Sequence, residues 1–301
     1  MQYPIFIAML AAIISPVIFG LMNTVDKYVI AHKVRKPLGF AVVAGAVTCF
    51  LGIILALFLD WNGIAIKQMI APAIAGIFMG SQFFVYYLII KKEDISSMIG
   101  LLYIYPVIVT VLSFFFLHEV ISFVGYIGVG FILTGALMLS IRLKKIKLRA
   151  SIWLIITLIV AVALNEFTIK IATTKLPEFN GLAVNLIFVG ITVIPSLVFR
   201  GIRREFFKEI KNIRWAFLSE SLTFLGIGTL YVAMKELPAT FVSSVAATQP
   251  LAVLFFERFM HKRVGKMSRD NVLIHKLVPI ILIAIGVVLL YGTEIIKSLG
   301  K

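Results

Sequence analysis

The stretch YYLIIKKEDISSMIGLLYIYP, residues 86–106, decides how this chain is read, because it recurs as LYVAMKELPATFVSSVAATQP, residues 230–250. Tyr87 and Tyr231, Lys91 and Lys235, Ser96 and Thr240, and Pro106 and Pro250 are each 144 positions apart. Four matches at one offset, inside apolar helix-compatible sequence, mark a unit that occurs twice. Such self-similarity takes precedence over any local motif when a fold is assigned. The match also extends outward. At an offset of 143, Gly20 pairs with Ala163, Asn23 with Glu166 and Lys27 with Lys170; at 151, Gly135 pairs with Gly286. Two repeats are predicted, over residues 1–142 and 150–296.

The setting of the repeat is a membrane. The chain has 301 residues, 61% of them hydrophobic and 14% charged, with a mean hydropathy of +1.05. A soluble domain is about 45–50% apolar and about 25% charged, and the polar residues here could not cover the surface of such a core. Continuous apolar runs without period-2 alternation exclude a β-barrel. Helical spans of roughly 17–25 residues are predicted at about 4–28, 38–59, 69–90, 96–117, 121–141, 152–174, 181–199, 215–234, 239–259 and 273–293. The first run starts at residue 4 and exceeds the h-region of a signal peptide, so it is predicted to be a retained span. The fold class is therefore an all-α membrane protein of ten transmembrane helices. Five spans per unit is an odd number, so successive copies insert in opposite directions, as two inverted five-helix repeats. That architecture is common in secondary transporters, where the substrate site lies near the midplane between the repeats.

The net charge of +15 is a topology signal. Twenty-two of the 29 Lys and Arg fall in one set of alternate connections, five in the other, and Lys27 and Lys170 inside spans. The positive-inside rule places the basic side in the cytoplasm and both termini outside. This distribution argues against nucleic acid as a partner. A lone Cys49 forms no intrachain disulfide, and four scattered histidines give no metal spacing. With no phosphate loop or nucleophile elbow either, no cofactor, no metal site and no enzymatic activity are expected.

Polar residues within spans mark the candidate solute site, because each is costly there. On the first span Asn23 and Lys27 share a face with Gly20; on the sixth, Glu166 and Lys170 hold the equivalent places. Two readings stand for Lys27, a cation facing a cavity or a side chain snorkelling beside Asp26. Lys170 is read as a cavity cation or as a local partner of Glu166. Tyr87 and Tyr231 match on the third and eighth spans, where Glu220 has no close cationic neighbour in sequence. Glu220 is ranked above Glu257, for which a surface pair with Arg258 competes. On the fourth and ninth spans, Tyr103, Tyr105 and Gln249 precede the hinge prolines Pro106 and Pro250, which are expected to kink their helices. Gly76 and Gly80 read most simply as close helix packing.

These features resemble the drug/metabolite transporter superfamily, specifically its EamA-type family. The resemblance rests on Gly20 to Lys27, on Tyr87 to Pro106, on the ending YPVIVTVLSFFFLHEVIS at 105–122 with Pro106 and Glu119, and on Gly125, Gly128 and Gly135. It covers about residues 4–293. Two departures stand out: Arg263 occupies the place of the expected second-half glutamate, and family members are usually drawn with cytoplasmic termini. The resemblance implies a carrier that exports or exchanges small metabolites such as amino acids, nucleotide-type solutes or amphipathic drugs; a multi-pass protein of a prokaryotic inner (plasma) membrane, acting as a monomer, is expected. The first, third and fourth spans would rock against the sixth, eighth and ninth, with the tyrosines stacking on solute and Lys27, Lys170, Glu166 and Glu220 supplying charge. A cavity holding both lysines and aromatics would admit zwitterions and anions alike. The alternative is a membrane subunit that handles a lipid carrier or presents it to a partner, without transport.

Overall fold

The computed structural model describes residues 4–92, 102, 104–141, 152–264 and 272–299, and every element among them is helical. The first half contains α1 (Ile5–His32), α2 (Pro37–Leu57), α3 (Ile70–Lys92), α4 (Tyr105–Leu117) and α5 (Phe123–Ile141). The second contains α6 (Ile152–Lys175), α7 (Glu178–Val193), α8 (Arg200–Glu209), α9 (Ile213–Glu236), α10 (Ala239–Ala246), α11 (Gln249–Val264) and α12 (Val272–Leu299). Seven helices are long and apolar enough to cross a membrane, and three shorter apolar helices lie at Tyr105–Leu117, Phe123–Gly135 and Val278–Gly292. Large apolar side chains such as Phe58, Phe115, Phe123 and Val288 stand exposed on the outside. An exposed apolar surface of this extent suits lipid rather than water.

The helices pack by the repeat. α1 lies on α9, and their counterparts α6 and α3 lie on each other; α2 pairs with its own counterpart α7, and α5 with α12. The last two pairs cross antiparallel through glycines. A Cβ built on Gly128 would meet Gly286 O at 2.8 Å, and one built on Gly135 would meet Pro279 O at 2.7 Å. These two contacts are one contact repeated, since Pro279 and Gly286 stand 151 positions after Gly128 and Gly135. Likewise Gly45 meets Val193 and Gly52 meets Leu186, so chain direction reverses across the α2–α7 crossing. In these two pairs the equivalent helices thus run in opposite directions. Small residues let backbones approach at such crossings, where dispersion rather than the hydrophobic effect supplies the attraction.

Two local readings change. Residues 200–209 were expected as a basic connection but form α8, whose Ile202 and Phe206 pack against the core. Buried Glu209 anchors it: Oε1 accepts the backbone N–H groups of Arg35 (3.0 Å) and Lys36 (2.9 Å), and Oε2 accepts Asn212 Nδ2 (2.7 Å). These N–H groups stand at the start of α2, where no intrahelical acceptor exists. The prolines begin helices instead of kinking them. Pro106 sits in the first turn of α4 and Pro250 in the first turn of α11, after the Ala247–Thr248 break that ends α10. The turns match: Val107 N–H donates to Ile104 O at 3.1 Å, and Leu251 N–H to Thr248 O at 2.9 Å. Proline suits this place because a first-turn N–H has no intrahelical acceptor, so lacking one costs nothing.

The α5–α12 crossing leaves no room for a side chain at Gly286, where a Cβ would lie 2.5 Å from Gly128 O and 2.7 Å from Ile132 Cγ1. Gly286→Val is expected to cost roughly 1–3 kcal/mol through overpacking, read as a lower melting temperature of the purified protein. Gly292→Val, at a glycine with open space around it, should leave the melting temperature unchanged.

Candidate functional site

A cavity of about 160 Å³ lies between the two halves, space for on the order of ten waters. Its wall is built from repeat-related positions. Asn23 faces it with Glu166, Phe19 with Val162, Phe83 with Ile227, Tyr86 with Leu230, Leu102 with Ala246, and Tyr105 with Gln249. The last two pairs flank the two helix breaks, so the proline turns open onto the cavity. Irregular backbone at membrane depth is tolerated where it lines such a space.

The chemistry of the wall is less symmetric than its backbone. Asp26, Gln82, Tyr87 and Glu220 line it, whereas their counterparts Ile169, Gly226, Tyr231 and Gly76 do not. Asp26 is 1% exposed and Glu220 2%. The Ser219 hydroxyl donates to Asp26 Oδ1 at 2.5 Å, and the Tyr86 hydroxyl stands 3.0 Å from both Asp26 Oδ2 and Asn23 Oδ1. Glu220 receives Thr48 at 2.9 Å on Oε2 and Tyr87 at 3.3 Å on Oε1. At the same register Gly76 has no side chain and lies against Asn185 and Phe188 of α7, so one half uses this position for packing and the other for a carboxylate. Elsewhere on the wall, Tyr105 donates to Glu166 Oε1 at 2.9 Å, while Glu166 Oε2 is buried without a hydrogen-bond partner among the described residues.

Of the residues singled out in sequence, Asn23, Tyr87, Tyr105, Glu166, Glu220 and Gln249 meet at this cavity. Three others do not line it. Lys27 is half-buried on α1, away from the wall. The Tyr231 hydroxyl accepts Asn185 Nδ2 at 3.1 Å and donates to Gly181 O at 3.3 Å, tying α9 to α7. Lys170 Nζ donates to Met234 O (2.9 Å) and Leu237 O (2.7 Å) and pairs with Glu119 Oε1 at 3.4 Å, rather than with Glu166. Glu119 Oε2 in turn accepts the N–H of Ala239, which opens α10. The pair joins the ends of four helices one turn beyond Glu166. Tyr103 lies outside the described residues, as do Ser96, Gly100, the Glu257 side chain and the Arg263 side chain.

Sequence reasoning passed over Asp26, treating it only as a neighbour of Lys27. The signal was present: Asp26 lies three residues after Asn23, on the same helix face. The lysines of the repeated stretch, which marked the repeat, hold helix ends. Lys91 Nζ caps the C-terminal end of α1 through Ile30 O (3.1 Å) and Val34 O (2.7 Å). Lys235 caps the end of α6 through Thr173 O (2.9 Å) and Leu176 O (3.1 Å). Terminal carbonyls lack intrahelical donors, and a cation suits the negative end of the helix dipole.

Because Lys170 and Glu119 are both shielded, removing one partner strands the other. Lys170→Met is expected to cost on the order of 3 kcal/mol. Glu119→Gln should cost less, since an amide still offers an acceptor. Melting curves of the single and double variants should give a non-additive cycle; strict additivity would show that the two side chains do not interact.

Comparison with known proteins agrees with the two-repeat build. A crystal structure titled "Crystal structure of protein" superposes with a TM-score of 0.66 over 96% of this chain and 98% of its own, at 12% identity. Likeness at that identity speaks for the fold alone. No curated protein matches the sequence. The EamA-like transporter family matches twice, over residues 6–141 and again over 149–292. With apolar helices throughout and both copies of the family's unit, this integral multi-pass membrane protein belongs to the EamA-like transporter family.

Proposed function

We propose that the chain is a ten-span secondary carrier whose halves, 1–142 and 150–296, are inverted five-helix repeats. It moves a small metabolite across a prokaryotic plasma membrane, as exporter or exchanger, by alternating access. The observation that carries this reading is the cavity, whose wall pairs equivalent residues from the first, third and fourth spans with those of the sixth, eighth and ninth. A site on a pseudo-two-fold axis can be reached from either side by exchanging the conformations of the two halves. The antiparallel crossings α2–α7 and α5–α12 support the inversion. In this reading the Lys170–Glu119 tie, one turn beyond Glu166 on α6, parts as solute leaves on the less basic side. The family assignment gives no support to the lipid-handling alternative.

Flux in proteoliposomes tests the reading. A screen of metabolites should find one that the protein moves, and Glu220→Gln should slow that flux by about tenfold or more, the effect of losing one charge-assisted interaction. Uptake equal to protein-free liposomes for every solute class would sink the carrier. Orientation is tested separately by a C-terminal reporter fusion. The Lys/Arg bias predicts that an enzyme active only in the periplasm reports, and cytoplasmic activity would reverse the assigned topology.

A further inference from the structure

The cavity wall carries three carboxylates, Asp26, Glu166 and Glu220, and no Lys, Arg or His among the described residues. The two lysines expected to supply positive charge stand elsewhere, Lys170 engaged by carbonyls and Glu119, and Lys27 away from the wall. Asp26 and Glu220 are each met by two hydroxyls. Glu166 is not so provided. It is 7% exposed, its Oε1 holds the Tyr105 hydroxyl, and its Oε2 has no partner among the described residues while the residue faces the cavity. A buried carboxylate oxygen without a donor costs several kcal/mol. What satisfies it must be a donor, either a proton on the oxygen itself or a cationic group arriving in the cavity.

We infer that the cavity takes a monovalent organic cation, an amine with an aromatic or aliphatic body, whose ammonium donates to Glu166 Oε2. This rests on reading the cavity as the carrier's solute site. The rest of the wall suits such a ligand. Phe19, Phe83, Tyr86 and Tyr105 offer ring faces that attract cations and pack apolar bodies, and Met22 and Met79 add adaptable apolar surface. Asn23, Gln82, Asn165 and Gln249 supply neutral polar groups. The same wall disfavours a carboxylate-bearing solute, which would enter beside three acids without a fixed cation to meet it. A chelated metal ion is disfavoured as well, since no group of three or more metal-ligating side chains gathers among the described residues. The expectation that zwitterions and anions enter alike is thereby replaced by a preference for cations.

The test is calorimetric titration of the full-length protein in detergent with three probes of similar body and different charge: 2-phenylethylamine, phenylalanine and 3-phenylpropionate. The amine should bind at least about tenfold more tightly than either of the others. Glu166→Gln should weaken it by about tenfold to a hundredfold, the cost of losing a charged hydrogen-bond partner. Glu166→Asp, which keeps the charge, should retain more of the affinity, and melting curves of both variants report whether the fold persists. Equal binding of phenylpropionate or phenylalanine, no binding of the amine to the unaltered protein, or amine affinity unchanged in folded Glu166→Gln would each overturn the inference. Flux separates it from the carrier reading. Amine binding without flux of any solute keeps the cation site and removes the carrier, while flux of an anion or zwitterion with no amine binding does the reverse.

Discussion

The structure depends on two close antiparallel crossings between equivalent helices, α2 with α7 and α5 with α12. At each, glycines remove the side chains that would hold the backbones apart, and the α5–α12 contact repeats itself, Gly128 on Gly286 and Gly135 on Pro279. Lipid supplies no hydrophobic drive for one apolar helix to join another, so shape and dispersion at these seams must hold the halves in register. Once they do, α1 falls on α9 and α6 on α3. The remaining space between those pairs is the cavity, with the two proline turns at its edge.

That geometry explains why the polar groups are where they are. A helix break exposes backbone groups that only water, solute or protein can satisfy, and both breaks open onto the cavity. Charges follow the same constraint. Each charge with a structural task has close partners: buried Glu209 holds the start of α2, and Lys91 and Lys235 hold the ends of α1 and α6. Lys170 and Glu119 join the ends of four helices. Set against these, the acids of the cavity wall are met by hydroxyls alone, and one oxygen of Glu166 by nothing among the described residues. The contrast sets charges that hold helix ends apart from the acids that line the cavity.

Much of this was legible in the chain. The offset of 144 found the repeat, and positions equivalent at that offset, such as Tyr105 with Gln249, line one cavity. Less legible was which polar residues would face inward. Lys170, one turn from Glu166, reads in sequence as a cavity cation or as its local partner, yet the Lys170 ammonium turns to the end of α9 and to Glu119. Sequence spacing places side chains on a helix face but not on a neighbour, and a lysine long enough to reach two helices goes to whichever has unsatisfied carbonyls. α8 was missed for a related reason. Its charges read as a solvated connection, while the apolar side of the helix and the Glu209 anchor acquire meaning only against α2.

By itself, the sequence determined the class of protein and its division into two equivalent units, and it marked the two prolines without showing that each begins a helix. These follow from local and periodic quantities, namely apolar run length, proline placement and a constant offset, which do not depend on what lies across the fold. The tertiary structure alone decided the charge of the site. Acids and lysines of similar appearance lay within spans, and only packing divided them into a tie formed by Lys170, a half-buried Lys27 and the wall formed by Asp26, Glu166 and Glu220. The physical reason is that a buried charge is defined by its neighbours, and those neighbours lie up to 193 positions away in the chain.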